Sequence, residues 1–311
     1  MRNRKQRRLA ATSAGNLQHT PNWGAGLPIG VDPLNFAAIK LQPFYNDIQL
    51  GNATGFFYFG LLGGKPNFWL VTNWHVLSGR NAEEPKSVLH KMGSLPNRLR
   101  LSLLLEFDQP EYTSNPNAQI LFQEQFIELY DTTGQASWYQ HVKKSVVDVA
   151  VLNASVFVGR FHLVGVNSAG TDADMAIQIG SQIFILGYPL GFTHFMNTPI
   201  WKRGSIASEP HIETTESGGK VVIDATTRQG MSGAPVILRE ATHYITETGA
   251  IKRRVNATRF IGVYASRPNI PIATDMNDED RRAEVGFFYK SGAVHEIITN
   301  GVRGPNFGEL P

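Results

Sequence analysis

The sequence is organised as two blocks of short apolar segments, and this pattern constrains the fold more than any other feature. The segments are rich in Val, Ile, Phe and Tyr, and clusters of Gly, Pro, Asn and Asp separate them. Such a pattern is typical of β-barrels and β-sandwiches, because β-branched and aromatic residues favour strands while the separating residues favour turns. The sequence therefore predicts an all-β protein with two β-sheet units.

The first block spans residues 38–153 and contains runs such as "ATGFFYFGLL" and "VVDVAVLN". The second block spans residues 178–300 and contains "SQIFILGYP", "APVILRE" and "RFIGVYAS", followed by the polar stretch "RPNIPIATDMNDEDRRAE". It ends in "AVHEIITN", whose apolar spacing predicts a short C-terminal helix. Residues 154–177 connect the blocks, and residues 301–311 form a tail.

Residues 1–37 are expected to form a basic arm that is partly disordered. Five positively charged residues lie near its start, namely Arg2, Arg4, Lys5, Arg7 and Arg8. Of the 29 Lys and Arg residues, 24 lie elsewhere, against 26 Asp and Glu. Short charged termini are usually solvated, so nucleic acid is not an expected partner except through this arm.

The composition excludes several classes of site. The chain of 311 residues has no cysteine, which excludes disulfide scaffolds, thiolate catalysis and Cys-ligated zinc. No cluster of His, Asp and Glu has ligand spacing, so we expect neither a metal nor another cofactor. No apolar stretch of secretory length follows the basic start, and no run of about 18 apolar residues predicts a membrane span. A cytoplasmic location is the resulting expectation.

The segment "TRQGMSGAP", residues 227–235, places Ser232 between Gly230 and Gly233. Serine and glycine both favour turns, so this segment alone is weak evidence for catalysis. A nucleophilic serine also needs a histidine that takes its proton and a carboxylate that holds the histidine in the right tautomer.

His75 and Asp148 are the candidates for these two roles. His75 lies in "FWLVTNWHVLSG", where an apolar strand turns polar, as at the rim of a barrel. Asp148 is flanked by valines, and a buried carboxylate is costly unless a donor bonds to it. A histidine donor would satisfy it; a turn, or a pair with Lys143 or Lys144, is the alternative.

The order His75, Asp148, Ser232, with separations of 73 and 84 residues, divides between the two blocks as in chymotrypsin-type proteases. The sequence resembles trypsin-like serine proteases over residues 38–300. The resemblance rests on this order and on seven motifs: "TGFFY", "LVTNWHVL", "DVAVL", "GYPLG", "RGSIAS", "GMSGAPV" and "FIGVYAS". The likeness is greatest to bacterial HtrA-like and glutamyl-endopeptidase-like protease domains without a PDZ module. It implies two six-stranded antiparallel β-barrels of the chymotrypsin type.

The resemblance also implies a role for each residue. His75 would be the general base, Asp148 the carboxylate that orients it, and Ser232 the nucleophile of a serine endopeptidase that forms an acyl-enzyme. The backbone N–H groups of Gly230 and Ser232 would form the oxyanion hole. A protein or peptide is the expected substrate, and a regulatory protein partner is left open.

The resemblance further implies a primary specificity pocket between residues 224–229 and the strand "FIGVYAS". Its candidate walls are Thr226, Thr227, Ala265 and Ser266. Thr226 stands where trypsin carries an acid, so we expect no preference for Arg or Lys. Arg228 or Arg267 would favour an acidic residue if either pointed inward.

Met231 stands where trypsin-type zymogens carry the acid that pairs with a newly liberated N-terminal amine. A methionine cannot make that ion pair, so we expect activity without processing of the N-terminus. The loop around Ser232 would be ordered by the packing of Met231 or by a partner.

Two alternatives stay open at the level of sequence. A two-barrel domain whose triad residues are misaligned would bind peptides without cleaving them. An α/β-hydrolase esterase would need the motif G-x-S-x-G and a late histidine, such as His243 or His295. Ala234 breaks that motif, and amphipathic helices are scarce.

Overall fold

The computed structural model of the protein describes residues 31–62, 64–111, 120–168, 174–194, 197–212, 219–265 and 285–309. Most of the predicted basic arm lies outside the described residues, as does the whole polar stretch 267–284.

Strands dominate the described chain, which confirms the predicted all-β class. The first half contains eight strands, and a ninth comes from the tail: β1 (Ala38–Tyr45), β2 (Ile48–Gln49), β3 (Ala53–Leu62), β4 (Lys65–Thr72), β5 (Arg98–Leu104), β6 (Phe122–Glu128), β7 (Trp138–Gln140), β8 (Ala150–Asn153) and β17 (Val302–Arg303). They form one sheet in the order β17-β7-β8-β4-β3-β1-β5-β6, with β2 paired to β1.

The second half contains a closed barrel in the order β10-β11-β16-β15-β12-β9, with six strands as predicted. Its strands are β9 (Gln182–Gly187), β10 (Ile200–Ile206), β11 (Lys220–Asp224), β12 (Pro235–Glu240), β15 (Ala257–Tyr264) and β16 (Val285–Lys290). A separate hairpin is formed by β13 (His243–Ile245) and β14 (Ile251–Arg253).

Helices are short. The α-helices of the described chain are α1 (Trp74–Ser78) and α2 (Gly292–Asn300), and α2 is the predicted C-terminal helix. Single 3₁₀ turns lie at Pro33–Phe36, Lys144–Val146, Ser155–Phe157 and Pro189–Gly191. No helix of the described residues is long and apolar enough to cross a membrane.

The two halves share a hydrophobic core. Phe56 and Val71 of the first sheet pack in the same cluster as Ile237 and Phe260 of the barrel, and the ring centroids of Phe56 and Phe260 are 5.2 Å apart. The apolar side of α2 joins this cluster through Val294 and other residues. Burial of this shared apolar surface fixes the two halves against each other, so the seam between them has a defined shape.

Candidate active site

Strand pairing brings His75 next to Asp148. Thr72, the last residue of β4, pairs with Ala150, the first residue of β8. The chain leaves β4 into α1, which carries His75, and Asp148 lies two residues before the start of β8. His75 and Asp148, which are 73 positions apart in sequence, are neighbours because the strands next to them are antiparallel partners.

His75 and Asp148 are joined by two hydrogen bonds. The backbone N–H of His75 donates to Oδ1 of Asp148 at 2.9 Å, and His75 Nδ1 lies 2.7 Å from Oδ2. An ionised carboxylate only accepts, so Nδ1 is the donor and Nε2 is left as the acceptor of a neutral ring. Asn73 Nδ2 donates to the carbonyl oxygen of Asp148 at 2.6 Å and holds its backbone.

The pair changes the affinity of His75 for protons. The side chains of His75 and Asp148 are only 18% and 6% exposed. Burial by itself lowers the pKa of His75, but the charge of Asp148 and the hydrogen bond to it outweigh burial, so the pKa is raised above its ordinary value. The expectation that a histidine donor satisfies the buried Asp148 agrees with this geometry.

Ser232 lies in the turn before β12, and this turn rests on the first sheet. The N–H of Thr54 on β3 donates to the carbonyl oxygen of Ser232 at 2.9 Å. Strand β3 pairs with β4, with Phe56 opposite Val71, and Oγ1 of Thr72 at the end of β4 donates to the carbonyl oxygen of Thr54 at 2.8 Å. Ser232 is thus docked on the strand beside the one that leads to His75.

The glycines on either side of Ser232 are required by this docking. Gly230 and Gly233 have φ values of +94° and +84°, which side chains rarely adopt. A Cβ on Gly230 would collide with the carbonyl oxygen of Tyr188, and one on Gly233 with that of Thr54. The turn-like composition of "GMSG" thus has a specific cause, which is the close approach of this loop to two other chain segments.

The peptide groups of the loop have defined directions. The carbonyl oxygen of Gln229 accepts from Leu190 N–H at 2.6 Å, and that of Met231 accepts from Ala234 N–H at 3.0 Å. In a trans peptide the N–H points opposite to the carbonyl, so the N–H groups of Gly230 and Ser232 point away from these partners. This orientation suits an oxyanion hole, because neither donor is turned back into the loop.

These groups meet in a cleft of about 760 Å³ at the seam between the two halves. Its lining includes His75 and Asp148 from the first half, with Gly230, Ser232 and Ala265 from the second. The structure therefore brings all three predicted triad residues and both predicted oxyanion residues to one cavity. The described residues hold no group of three or more His, Asp and Glu that could bind a metal.

The family model described as the trypsin-like peptidase domain matches residues 53–242, a segment that contains His75, Asp148 and Ser232. This chain belongs to the trypsin-like peptidase family. The resemblance to trypsin-like serine proteases is thereby confirmed, and the protein is a serine protease whose substrates are proteins.

Solved structures that are similar to this trypsin-like peptidase include the Rv3671c protease from M. tuberculosis in its active form, with 16% identity over 88% of this chain and 84% of that one, and a TM-score of 0.41. Deg5 has 16% identity over 86% of this chain and 91% of its own, with a TM-score of 0.43. The HtrA-type protease AlgW with a tripeptide has 13% identity, coverage of 85% and 60%, and a TM-score of 0.42. No curated protein matches the sequence.

The residues expected to wall the specificity pocket of the peptidase are not gathered in one place. Ala265 lines the cleft, whereas Thr227 is buried against Tyr264 and Thr226 lines a separate depression of about 320 Å³. Ser266 lies outside the described residues, as does Arg267. Arg228 is exposed, and its Nη1 donates to the carbonyl oxygen of Thr227.

Met231 is fully buried in the core of the barrel, where its Sδ lies close to Gly187. Packing of this side chain anchors the serine loop of the peptidase, which is one of the two ways of ordering that the sequence suggests. The residue after the loop begins strand β12 rather than a helix. This arrangement differs from the strand-to-helix turn of an α/β-hydrolase esterase.

Sequence reasoning missed several residues that hold the site. Thr54 and Asn73 lie within the motifs "TGFFY" and "LVTNWHVL", but no local pattern distinguishes them from other polar residues at strand ends. Tyr289 crosses the seam, where its Oη donates to the carbonyl oxygen of Val146 at 3.0 Å. Burial raises the pKa of Tyr289, so its phenol stays neutral beside Asp148.

Proposed function

We propose that this protein is an endopeptidase that hydrolyses peptide bonds by a His75, Asp148 and Ser232 triad through an acyl-enzyme intermediate. The observation that carries the proposal is the doubly hydrogen-bonded pair of His75 and Asp148 in the same cleft as Ser232. Such a pair supplies the general base that a serine hydroxyl needs in order to lose its proton.

In the first step, His75 Nε2 takes the proton of Ser232 Oγ while Oγ attacks the scissile carbonyl carbon. The negative oxygen that forms is bound by the N–H groups of Gly230 and Ser232. His75 then gives its proton to the leaving amine nitrogen, and the acyl group stays on Ser232 as an ester. A water molecule, deprotonated by His75, hydrolyses the ester and restores the hydroxyl.

Asp148 acts through His75 in this scheme. Its carboxylate holds the ring with Nδ1 protonated, and it stabilises the imidazolium that forms when Ser232 loses its proton. The raised pKa of His75 supports this role, because the charge of Asp148 and the hydrogen bond to it together more than offset the burial of the ring. Asn73 supports the carboxylate by binding the backbone of Asp148.

Labelling with a small alkyl fluorophosphonate tests the proposal. The probe reacts quickly only with a serine that has an assembled base and oxyanion hole. We expect one equivalent of label on Ser232 of the native protein and none on the Ser232→Ala variant. Ser205, a half-buried serine of β10 outside the cleft, offers a matched control, because Ser205→Ala should label normally.

A folded native protein that is not labelled would contradict the proposal. Binding of peptides without labelling would favour the alternative, in which the same domain only binds peptides. Peptide cleavage that persists in a folded Ser232→Ala protein would show that another residue is the nucleophile.

A further inference from the structure

Tyr264, at the end of β15, turns its side chain into the protein beside the serine loop. The residue is only 3% exposed, and its Oη lies 2.5 Å from Oγ1 of the buried Thr227. Its ring lies over Gly286 of β16, since a Cβ on Gly286 would be 2.9 Å from Tyr264 Cε2. The ring therefore spans the space between the segment before Ser232 and strand β16.

The backbone of Tyr264 ties this ring to the nucleophile loop. Its N–H donates to the carbonyl oxygen of Ala234 at 2.8 Å, and its carbonyl oxygen accepts from Gly233 N–H at 2.9 Å. The next residue, Ala265, lines the cleft together with Ser232. Tyr264 therefore directly precedes a residue of the cleft wall, and its ring extends into the protein behind that wall.

We propose that Tyr264 fills the primary specificity pocket and limits the residue before the scissile bond, P1, to small side chains such as Gly, Ala or Ser. This inference rests on the proposed function, because it concerns the same Ser232 site. Tyr264 belongs to one of the two walls that the resemblance implies, the strand "FIGVYAS", and its ring extends to the other wall, residues 224–229, where its Oη meets Thr227. A large P1 side chain would have to displace the ring and break its bond to Thr227.

The chemistry of the filled space also disfavours charged P1 residues. Thr227, Tyr264 and Gly286 carry no charge, and the carboxylate residue Asp224 is exposed and lines the separate depression rather than the cleft. A buried Arg or Lys side chain would find no partner among these residues, which makes its binding unfavourable. This agrees with the expectation that the protease has no preference for Arg or Lys.

The experiment compares peptides that differ only at P1, with Ala, Leu, Phe, Arg or Glu. For the native protein we expect kcat/KM for Ala to exceed that for Phe by about tenfold or more. Tyr264→Ala and the milder Tyr264→Val should raise the Phe-to-Ala ratio by about tenfold. Tyr244→Ala is the matched control, because Tyr244 is a buried tyrosine of the same half whose Oη donates to Asp174 and not to the segment before Ser232, and it should leave the ratio unchanged.

Truncation of a buried tyrosine can prevent folding, so a second measurement uses the native protein alone. Peptidyl phosphonates with Ala or Phe at P1 inactivate serine proteases at rates that follow pocket fit, and we expect the Ala compound to react faster. A labelled protein that prefers Phe, or folded Tyr264 variants with an unchanged ratio, would overturn this inference alone. A protein that the small fluorophosphonate does not label would overturn the proposed function, and this inference with it.

Discussion

One hydroxyl group, that of Thr54, connects β3 of the first sheet to both segments that shape the serine loop. Its Oγ1 donates to the carbonyl oxygen of Gly230 at 2.7 Å and lies 3.1 Å from the N–H of Tyr188, which donates to it. Thr54 is fully buried, so no water replaces these bonds if the hydroxyl is removed. The seam between the halves is therefore held at the residue that begins the oxyanion loop.

Thr54→Val keeps the shape of the side chain but leaves two buried polar groups without a partner. We expect the free energy of unfolding to fall by about 1–3 kcal/mol. We also expect kcat to fall more than KM rises, because the direction of the Gly230 peptide group affects the transition state more than the bound substrate. Urea unfolding and steady-state kinetics measure the two effects.

Thr258→Val is the matched control for this variant, because Thr258 is a buried threonine of the barrel that does not line the cleft. It should lower stability without a selective loss of kcat. Equal kinetic effects of the two substitutions would argue against a role of Thr54 in positioning the loop.

Asp148→Asn should reduce kcat by about 10³- to 10⁴-fold, because an amide can hold His75 in the wrong tautomer and cannot stabilise the imidazolium. Combined with Ser232→Ala, it should cause little further loss, since the triad acts as a unit. The measurement is peptide hydrolysis by the single and double variants. Fully additive losses would mean that Asp148 and Ser232 act in separate steps.

The pH dependence of kcat/KM should reflect the raised pKa of His75. Only the neutral ring can take the serine proton, so activity should rise with pH through a midpoint above the ordinary histidine value of about 6.5. In Asp148→Asn the charge is gone and burial remains, which lowers the pKa of His75. The residual activity of that variant should therefore have a midpoint below about 6.5.

The free energy of unfolding should also depend on the pair of His75 and Asp148, but the contribution of this pair should fall as the pH rises, whereas activity should increase. Because the pKa of His75 is raised in the folded state, its contribution to stability is fully present below its unfolded value of about 6.5. That contribution is lost as the pH rises through the folded pKa. Unfolding curves of the native protein and of His75→Gln across this range measure it, and parallel pH profiles of the two proteins would disprove it.

Met231→Asp should destabilise the protein by about 3 kcal/mol or more, because it places a carboxylate without a partner in the core of the barrel. Met231→Leu, which nearly conserves volume, should cost less than about 1.5 kcal/mol. Thermal or urea unfolding distinguishes the two variants. Equal stability of both would show that the loop is not anchored by apolar packing at this position.

The sequence by itself determined the all-β class and the trypsin-like family. These features follow from local properties: β-branched and aromatic residues specify strands, and glycines permit the left-handed turns around Ser232. His75 and Asp148 could be chosen for a similar reason, since an acid between valines and a histidine at the end of an apolar strand are each unusual in their immediate neighbourhood. The cytoplasmic location and the role of the basic arm stay predictions.

Only the tertiary structure decided which residues hold the serine loop and which side chains lie behind the cleft. Thr54 bonds to Gly230 across 176 positions of the chain, and Tyr264 to Thr227 across 37. The sequence assigned Thr227 to the pocket wall, yet in the structure its hydroxyl is hydrogen-bonded to Tyr264, a residue of "FIGVYAS" to which the sequence assigned no role. Contacts of this kind depend on the register of strands and on how two sheets pack. The pattern of polar and apolar residues within one strand carries no information about which side chain of another strand will face a given residue.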